Sequence, residues 1–356
     1  MVAAEPEKLD SYQRDIAKGL ERAFGKAEER PLDLGTERLV IFSDHHKGAR
    51  DGADDSLRSE RAYAAALGYY LEAGYRLIVL GDVEELWECS PAEVVKAYRP
   101  TLELEAEFHS QGRYLRFWGN HDDQWRDPGQ VEKYLGELFP GLEVHEALRL
   151  RLQSEGREVG LIFLVHGHQG TRESERFAWF SRLVVRYFWR PLQRRLGMSS
   201  NTPAKDFELR QRHDRAMFSW SRSNPANPIL IAGHTHRPVF WTSRPPPPKR
   251  SPEELERALA ELRSSPSPDP DAIRELRAEL EYARAEQRRG EPLPIPIDPP
   301  CYFNTGCCSF GDGDVTGIEI ADGEIRLVRW PNDESEPRQK VLAREELEKV
   351  LEAVRG

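Results

Sequence analysis

The sequence predicts an α/β fold in which short buried strands alternate with helices. From residue 38 onward, apolar runs of four or five residues, rich in β-branched or aromatic side chains, alternate with stretches of helical spacing. Each run stops at a polar or glycine-containing cluster, and ligands of α/β sheets bind where the carboxyl ends of the strands emerge. The predicted strands are Leu39–Phe42, Leu77–Leu80, Tyr114–Trp118, Leu161–Val165 and Ile229–Ala232.

Further helices and strands are predicted before and after this part of the chain. Residues 1–30 contain a leading helix, because Ile16, Leu20 and Phe24 are four residues apart and share one helix face. Near the other end, residues 315–330 predict two strands that turn at Asp322 and Gly323, and residues 341–354 predict a final helix. Residues 31–356 are therefore expected to form one main domain after the leading helix.

Two segments interrupt the main domain as predicted insertions. Residues from about 171 to 225 read as a long helical, lid-like insertion. Residues from about 245 to 300 have proline-rich ends that bracket two charged helical patterns, at about 252–263 and 270–289. We expect the second segment to be a helical hairpin inserted into a surface loop.

Composition excludes several classes of protein. The 356 residues include 61 acidic and 51 basic side chains, a net charge of −10, which argues against a globally basic nucleic-acid binder. Apolar runs fall short of the roughly 20 residues that a membrane span needs, and the first residues lack the apolar core of a secretory signal. Four cysteines show no C-x-x-C spacing. We therefore expect a cytoplasmic protein with no nucleic-acid partner.

The predicted strands end in side chains that suit a metal site. Carboxylates, imidazoles and one amide oxygen form a ligand set for manganese, iron or zinc. Two ions about 3.5–4 Å apart need one ligand that touches both, and a carboxylate such as Asp82 can supply it. The motifs, in chain order, are D-H-H at 44–46, G-D-V-E-E at 81–85, G-N-H-D at 119–122, H-G-H at 166–168 and G-H-T-H at 233–236.

These five motifs, in this order, resemble those of the calcineurin-like metallophosphoesterase superfamily. The resemblance implies a β-sandwich of two mixed sheets flanked by helices, and a hydrolase that uses two divalent ions, manganese first and iron or zinc as alternatives. It assigns Asp44, His46 and His236 to one ion, Asn120, His166 and His234 to the other, and Asp82 to the bridge between them.

The same resemblance assigns catalytic roles. Two ions lower the pKa of a shared water, so that a bridging hydroxide attacks phosphorus in line. His121 is expected to protonate the leaving oxygen, with Glu85 or Asp122 orienting its ring. Leu86 stands where protein serine/threonine phosphatases have an arginine, which argues against a phosphoprotein substrate.

The other histidines are less informative. His168 either contacts the substrate phosphate or hydrogen-bonds a loop, and the sequence leaves both open. His45 is expected to point away from the metals, because neighbouring residues project in opposite directions. His109, His145 and His213 are expected to be ordinary surface or core residues.

A narrower resemblance is to the UDP-2,3-diacylglucosamine pyrophosphatase branch. It depends on G-D-V-E-E-L-W at 81–87, on G-H-T-H-R-P at 233–238 and on a helical insertion between the last two motifs. Many members of that branch carry arginine at the position of His121. The resemblance implies a nucleotide-linked lipid substrate. The alternatives are a soluble nucleotide or general phosphodiesterase, or a binding scaffold that docks partners through the hairpin.

The first insertion is strongly basic. Residues 171–197 contain seven arginines and two glutamates, a local charge of 7 − 2 = +5, and aromatic side chains lie between the arginines. Arg182 and Arg186 are candidate substrate-binding residues, and residues 177–196 could associate peripherally with lipid at the inner membrane surface. The alternative is a lid helix packed on the core. Either arrangement favours an anionic phosphoester substrate.

Overall fold

In the computed structural model, the chain divides into two compact units. The larger unit comprises Met1–Thr242 and Ile297–Gly356, and the smaller unit comprises Ser243–Pro296. The structure describes residues 9–52, 54–171, 207–240, 252–264, 273, 276, 280, 300–332 and 336–355.

The described residues form thirteen strands and eight α-helices. The strands are β1 (Glu28–Asp33), β2 (Leu39–Phe42), β3 (Arg76–Leu80), β4 (Tyr114–Phe117), β5 (Val144–His145), β6 (Ala147–Ser154), β7 (Arg157–Val165), β8 (Ile229–Ala232), β9 (Pro238–Val239), β10 (Tyr302–Thr305), β11 (Val315–Ala321), β12 (Glu324–Trp330) and β13 (Lys340–Glu346). The helices are α1 (Ser11–Lys26), α2 (Glu60–Glu72), α3 (Pro91–Ala97), α4 (Arg99–Ser110), α5 (Pro128–Leu135), α6 (Phe207–Ser223), α7 (Pro252–Ser264) and α8 (Leu347–Arg355).

The larger unit contains two mixed sheets flanked by helices, which confirms the predicted fold class. The seven-stranded sheet has the order β13-β12-β11-β2-β3-β4-β5, and the six-stranded sheet has the order β1-β6-β7-β8-β10-β9. Strands β2, β3 and β4 are parallel neighbours in the first sheet. Strands β7, β8 and β10 are parallel neighbours in the second. All five strands predicted from the apolar runs are present.

Helices cover the sheets through continuous apolar contacts. Strand β2 is buried along its whole length, and Phe42 packs edge-to-face against Tyr63 and Tyr70 of α2. On the six-stranded sheet, Phe24 of α1 contacts Phe163 of β7, with ring centroids 5.1 Å apart, and Trp220 of α6. The leading helix is therefore part of the core of the larger unit.

The prediction for residues 341–346 was wrong. These residues form most of β13, which pairs antiparallel with β12, and the helix begins only at Leu347. From that point the buried positions Leu347, Val350, Leu351 and Val354 follow helical spacing, whereas Val341 and Leu342 are exposed. The strand is an edge strand with one exposed side, so its alternation is weak and its charged residues favour a helical interpretation.

The predicted insertions are described only in part. Arg182, Arg186 and the basic segment 177–196 lie outside the described residues, and α6 forms the described end of the first insertion. In the smaller unit, α7 confirms the helix predicted at 252–263, and its Leu255 and Leu259 pack with Leu280. Of the second predicted helix, at 270–289, only single helical residues are described. Within the described part of the chain, no helix combines the length and the apolar character that crossing a membrane requires.

Candidate metal centre

The candidate ligands lie at the carboxyl ends of strands from both sheets. Five of them have a left-handed backbone, with φ of 55° at Asp44, 52° at His46, 50° at Asp82, 68° at His234 and 52° at His236. Such a conformation is strained for a residue other than glycine and is retained mainly where function requires it. The turns that follow the strands therefore bend sharply enough to bring these side chains to one place.

The ligands form two groups, and Asp82 lies between them. The ligand atoms of Asp44, His46 and His236 lie within 4.8 Å of one another, and so do those of Asp82, His166 and His234. The Oδ2 atom of Asp82 is 3.1 Å from Nε2 of His166 and 4.0 Å from Nε2 of His46. One carboxylate thus faces both groups, as the bridging role requires.

Several donor atoms in these groups have the character of metal ligands. Oδ1 of Asn120 is buried and has no hydrogen-bond partner among the described residues, which is costly for a polar atom unless an ion coordinates it. Nδ1 of His166 lies 2.8 Å from the carbonyl oxygen of Leu80, so this nitrogen carries the proton and the Nε2 lone pair points into the site. Oxygen and imidazole donors fit manganese, iron or zinc.

The charges around His46 favour a cation at this position. Burial alone would lower the pKa of His46, but Glu85, Asp82 and Asp44 outweigh it and raise the pKa to about 10. The same carboxylates would stabilise a divalent ion held by its Nε2 atom. Glu85 accepts at Nδ1 of His46 over 3.2 Å, the carboxylate support that metal-binding histidines commonly have.

Glu85 also orients His121. Its Oε2 atom is 2.7 Å from Nδ1 of His121, and the indole of Trp87 stacks on the imidazole with ring centroids 4.2 Å apart. Burial opposes protonation of His121, but Glu85 and Asp82 outweigh it and raise its pKa. With Nδ1 engaged by Glu85, Nε2 is the nitrogen that can donate a proton to a substrate.

Asp122, the other candidate for orienting His121, contacts the backbone instead. Its carboxylate accepts hydrogen bonds from the backbone N–H groups of Gly119, at 2.6 Å, and Val83, at 2.8 Å. It thereby ties the turn after β4 to the turn after β3. Gly119 is required at its position, because a Cβ atom there would lie 2.1 Å from Oδ1 of Asp82.

The structure places His168 beside the centre and His45 away from it. The buried ring of His168 lies 5.4 Å from that of His166, centroid to centroid, and 5.1 Å from Trp118. Burial and the nearby His166 lower the pKa of His168 to about 3, so its imidazole is neutral at physiological pH. The ring of His45 instead packs against Tyr63.

Some supporting residues were not expected from the sequence. The ring of His213 lies 5.0 Å from His234, centroid to centroid, and its Nε2 is 2.8 Å from the carbonyl oxygen of Gly167. Asn304 of β10 donates from Nδ2 to the carbonyl oxygen of Gly233, which precedes His234. Such residues are distant in sequence from the motifs, and only the fold brings them behind the ligands.

A model of the calcineurin-like phosphoesterase family matches residues 37–238, more than half of the chain. The chain belongs to this family. The matched segment runs from just before β2 to β9 and contains every candidate ligand. Membership of the calcineurin-like phosphoesterases and the clustered donor atoms together support a metal-dependent phosphoesterase.

The chain is also similar to solved structures. The chain is similar to a conserved uncharacterized protein from Streptococcus pneumoniae TIGR4 that is described as a predicted phosphoesterase. The two share 14% sequence identity over 86% of this chain and 97% of that chain, with a TM-score of 0.29. No curated protein matches the chain.

Proposed function

We propose that this calcineurin-like phosphoesterase uses two divalent ions to hydrolyse phosphodiester or pyrophosphate bonds. The observation that carries the proposal is the position of Asp82, whose Oδ2 atom faces His166 of one ligand group and His46 of the other. A single-ion site would not need a buried carboxylate between two complete sets of donors. Manganese is the expected metal, with iron or zinc as alternatives.

Each group of side chains has a defined task in this proposal. Asp44, His46 and His236 would hold one ion, Asn120, His166 and His234 would hold the other, and Asp82 would be a ligand of both. When bound, the two ions lower the pKa of a shared water and neutralise the charge of the phosphoryl oxygens. His121 donates its Nε2 proton to the leaving oxygen.

Glu85 supports the proton transfer from His121. Burial would raise the pKa of Glu85, but His121 and His46 lower it to about 2, so the carboxylate stays ionised. It can therefore stabilise the imidazolium before the proton leaves and hold the ring in place afterwards. Trp87 restricts the ring further by stacking on it.

For the substrate, we propose an anionic phosphoester, with a UDP-2,3-diacylglucosamine-like lipid as the first candidate. The sequence features G-D-V-E-E-L-W and G-H-T-H-R-P support that candidate, as does the basic segment 177–196, which we propose as a peripheral contact with membrane lipid. A soluble nucleotide or general phosphodiester is the second candidate. Release of UMP from the lipid, compared with hydrolysis of soluble diesters under the same conditions, separates the two.

The metal requirement is tested with Asp82→Asn. We expect metal-free protein to be inactive on bis(p-nitrophenyl) phosphate and to recover with manganese, binding two ions per chain by elemental analysis. Asp82→Asn should retain less than two ions and lose at least about a hundredfold in kcat, because the ligand shared by both ions is weakened.

Asp322→Asn is the matched control. Asp322 lies in the exposed turn between β11 and β12 and has a φ of 53°, close to the 50° of Asp82, so both substitutions place asparagine in the same backbone conformation. The control should bind two ions and retain full activity. Full activity of metal-free protein, or two ions and unchanged turnover in Asp82→Asn, would contradict the proposal. A metal-loaded parent protein that hydrolyses none of the phosphoesters would favour a binding scaffold.

A further inference from the structure

A cavity of about 190 Å³ adjoins the metal centre, and several charged side chains line it. It shares the candidate ligand Asn120 with the centre, His168 also lines it, and α1 forms one wall through Arg22 and Lys26. The family match begins only at residue 37, so this wall is a feature of the chain outside the matched segment. Substrate selection is expected from elements that lie outside the shared segment and beside the shared chemistry.

Helix α1, which forms this wall, packs directly against the turn that carries His168. A Cβ atom at Gly19 of α1 would lie 2.5 Å from the backbone of Gln169 and Gly170, so the helix and the turn are in direct backbone contact. Asp10 caps α1 by accepting from the N–H of Gln13, and Tyr12 hydrogen-bonds His213 behind the centre. The position of α1 relative to the metal ligands is thereby fixed.

The charge of the lining favours an anion. Arg22, Lys26 and Arg126 contribute three positive charges against two negative charges from Asp123 and Glu146. The guanidinium of Arg126 lies over the Trp118 ring, 5.5 Å from its centroid. The ions expected at the adjoining centre would add further positive charge.

Besides Oδ1 of Asn120, two buried polar atoms in the lining have no partner among the described residues. Nε2 of Gln169 and Nδ1 of His168 have no hydrogen-bond partner among the described residues, although both side chains are at least nine-tenths buried. Oε1 of Gln169 accepts from the N–H of Gly167, so the amide is oriented and its NH₂ group is left as a donor. A ligand oxygen would satisfy these atoms, whereas an apolar chain would leave them unpaired.

We infer that this cavity binds a second phosphate group of the substrate, next to the phosphoryl group that is attacked. This inference rests on the proposed function and narrows its substrate class to pyrophosphate-linked compounds, or to diesters that carry a neighbouring phosphate. Arg22 and Lys26 supply charge, and the Gln169 amide donates a hydrogen bond. The volume is below the roughly 300–1,000 Å³ of pockets for drug-sized ligands, so it suits one such group and not a whole lipid.

The test compares a one-phosphate probe with a two-phosphate probe by calorimetry on manganese-loaded protein. Inorganic phosphate can occupy the metal centre alone, whereas methylenediphosphonate, which is not hydrolysed, can reach the cavity as well. We expect the parent protein to prefer the diphosphonate, and Arg22→Gln/Lys26→Gln to reduce that preference about tenfold. Both residues are exposed on α1, so the substitutions should leave the fold intact.

Arg14→Gln/Lys18→Gln is the matched control. It removes one arginine and one lysine, four residues apart on the same helix, and neither residue lines the cavity. The control should keep the preference of the parent. An unchanged preference in Arg22→Gln/Lys26→Gln, an equal loss in both double variants, or a parent protein without preference would overturn the inference. Hydrolysis of bis(p-nitrophenyl) phosphate with two bound ions would still support the proposed function in each of these cases.

Discussion

His121 is restrained on two sides, by the Glu85 carboxylate at Nδ1 and by the Trp87 indole on its face. Its backbone N–H also donates to Oδ1 of Asp82, so the residue that donates the proton is tied to the residue proposed to bridge the ions. Because its position is fixed in this way, His121 can act on one atom of the substrate, the leaving oxygen.

This role predicts that the effect of His121→Gln depends on the leaving group. p-Nitrophenolate is a stable anion and needs little protonation, whereas an alkyl leaving group needs a full proton. We expect kcat to fall about a hundredfold or more for a dialkyl phosphodiester, whose alkoxide is a poor leaving group, and clearly less for bis(p-nitrophenyl) phosphate. Steady-state kinetics on such a series provides the measurement.

His109→Gln is the control for this series. His109 lies in α4, far from the ligand groups, and its Nε2 contacts the carbonyl oxygen of Pro140. His109→Gln should leave kcat unchanged for every substrate of the series. If His121→Gln lowers kcat equally for substrates with good and with poor leaving groups, His121 positions the metal centre and does not donate the proton.

At the scale of elements, α4 anchors the turn that carries His46. Glu105 of α4 is fully buried and accepts hydrogen bonds from Lys47, Tyr63 and Tyr114. Lys47 directly follows His46, and its backbone N–H donates to the carbonyl oxygen of Val83, after β3. One carboxylate on a helix thus holds the turns of two neighbouring strands in register.

Glu105→Gln should therefore destabilise the protein strongly. Burial would raise the pKa of Glu105, but Lys47 and Arg116 lower it to about 2, below its ordinary value of 4.5. A carboxyl with a lowered pKa stabilises the folded state above the unfolded pKa, and this contribution is lost as the pH falls toward the folded pKa. We expect a loss of about 3 kcal/mol in the free energy of unfolding at pH 7.

Urea unfolding at several pH values checks both parts of this prediction. The difference between the parent and Glu105→Gln should shrink to about 1 kcal/mol at pH 3. Glu103→Gln is the control on the same helix, because Glu103 forms an exposed pair with Arg99, and its loss should be at most about 0.5 kcal/mol. A pH-independent difference for Glu105→Gln would contradict the electrostatic explanation.

At the scale of the whole molecule, the sequence predicted the central strands of the two sheets but not the edge strands β1 and β13. Leu39–Phe42 was predicted with its observed bounds, because a strand buried on both faces is a continuous apolar run. Strand β1, Glu28–Asp33, contains charged residues and a proline, since it is an edge strand, and it gave no such run. β13 was mistaken for a helix for the same reason.

In the candidate site, too, some residues could be predicted from the sequence and others could not. Asp82 and His121 lie in short motifs, so local sequence identifies them, and the structure brings them together with the candidate ligands of the other motifs. Asn304 and Asp214 lie 71 and 21 residues from their partners Gly233 and Thr235, and such pairs exist only after folding. Local pattern predicts groups that perform chemistry; it does not predict the polar groups that hold their turns.

The turn of His234 depends on a strand that follows it by many residues. Asn304 of β10 donates from Nδ2 to the carbonyl oxygen of Gly233, at 2.6 Å, and to Oγ1 of Thr235, at 3.2 Å. Thr305, the next residue, shares a hydrogen bond with Ser43, which precedes Asp44. Strand β10 therefore supports one turn from each sheet, although it lies beyond the family match that ends at residue 238.

We predict that Asn304→Ala lowers the affinity for metal without removing a ligand. Loss of the contacts at Gly233 and Thr235 frees the turn of His234 and His236, one from each ligand group, so both ions should bind about 10–100-fold more weakly. Titration of metal-free protein with manganese, followed by calorimetry, measures the change. Excess manganese should restore most of the activity, because the ligands themselves remain.

Asn224→Ala is the control for a buried asparagine that only closes a local turn. Asn224 is buried at the end of α6, and its Oδ1 accepts from the N–H of Ala226. This variant can lose stability, but its metal affinity should equal that of the parent. If Asn304→Ala also keeps the parent affinity, β10 serves only the packing of the sheets, and the support for the metal centre comes from the matched segment alone.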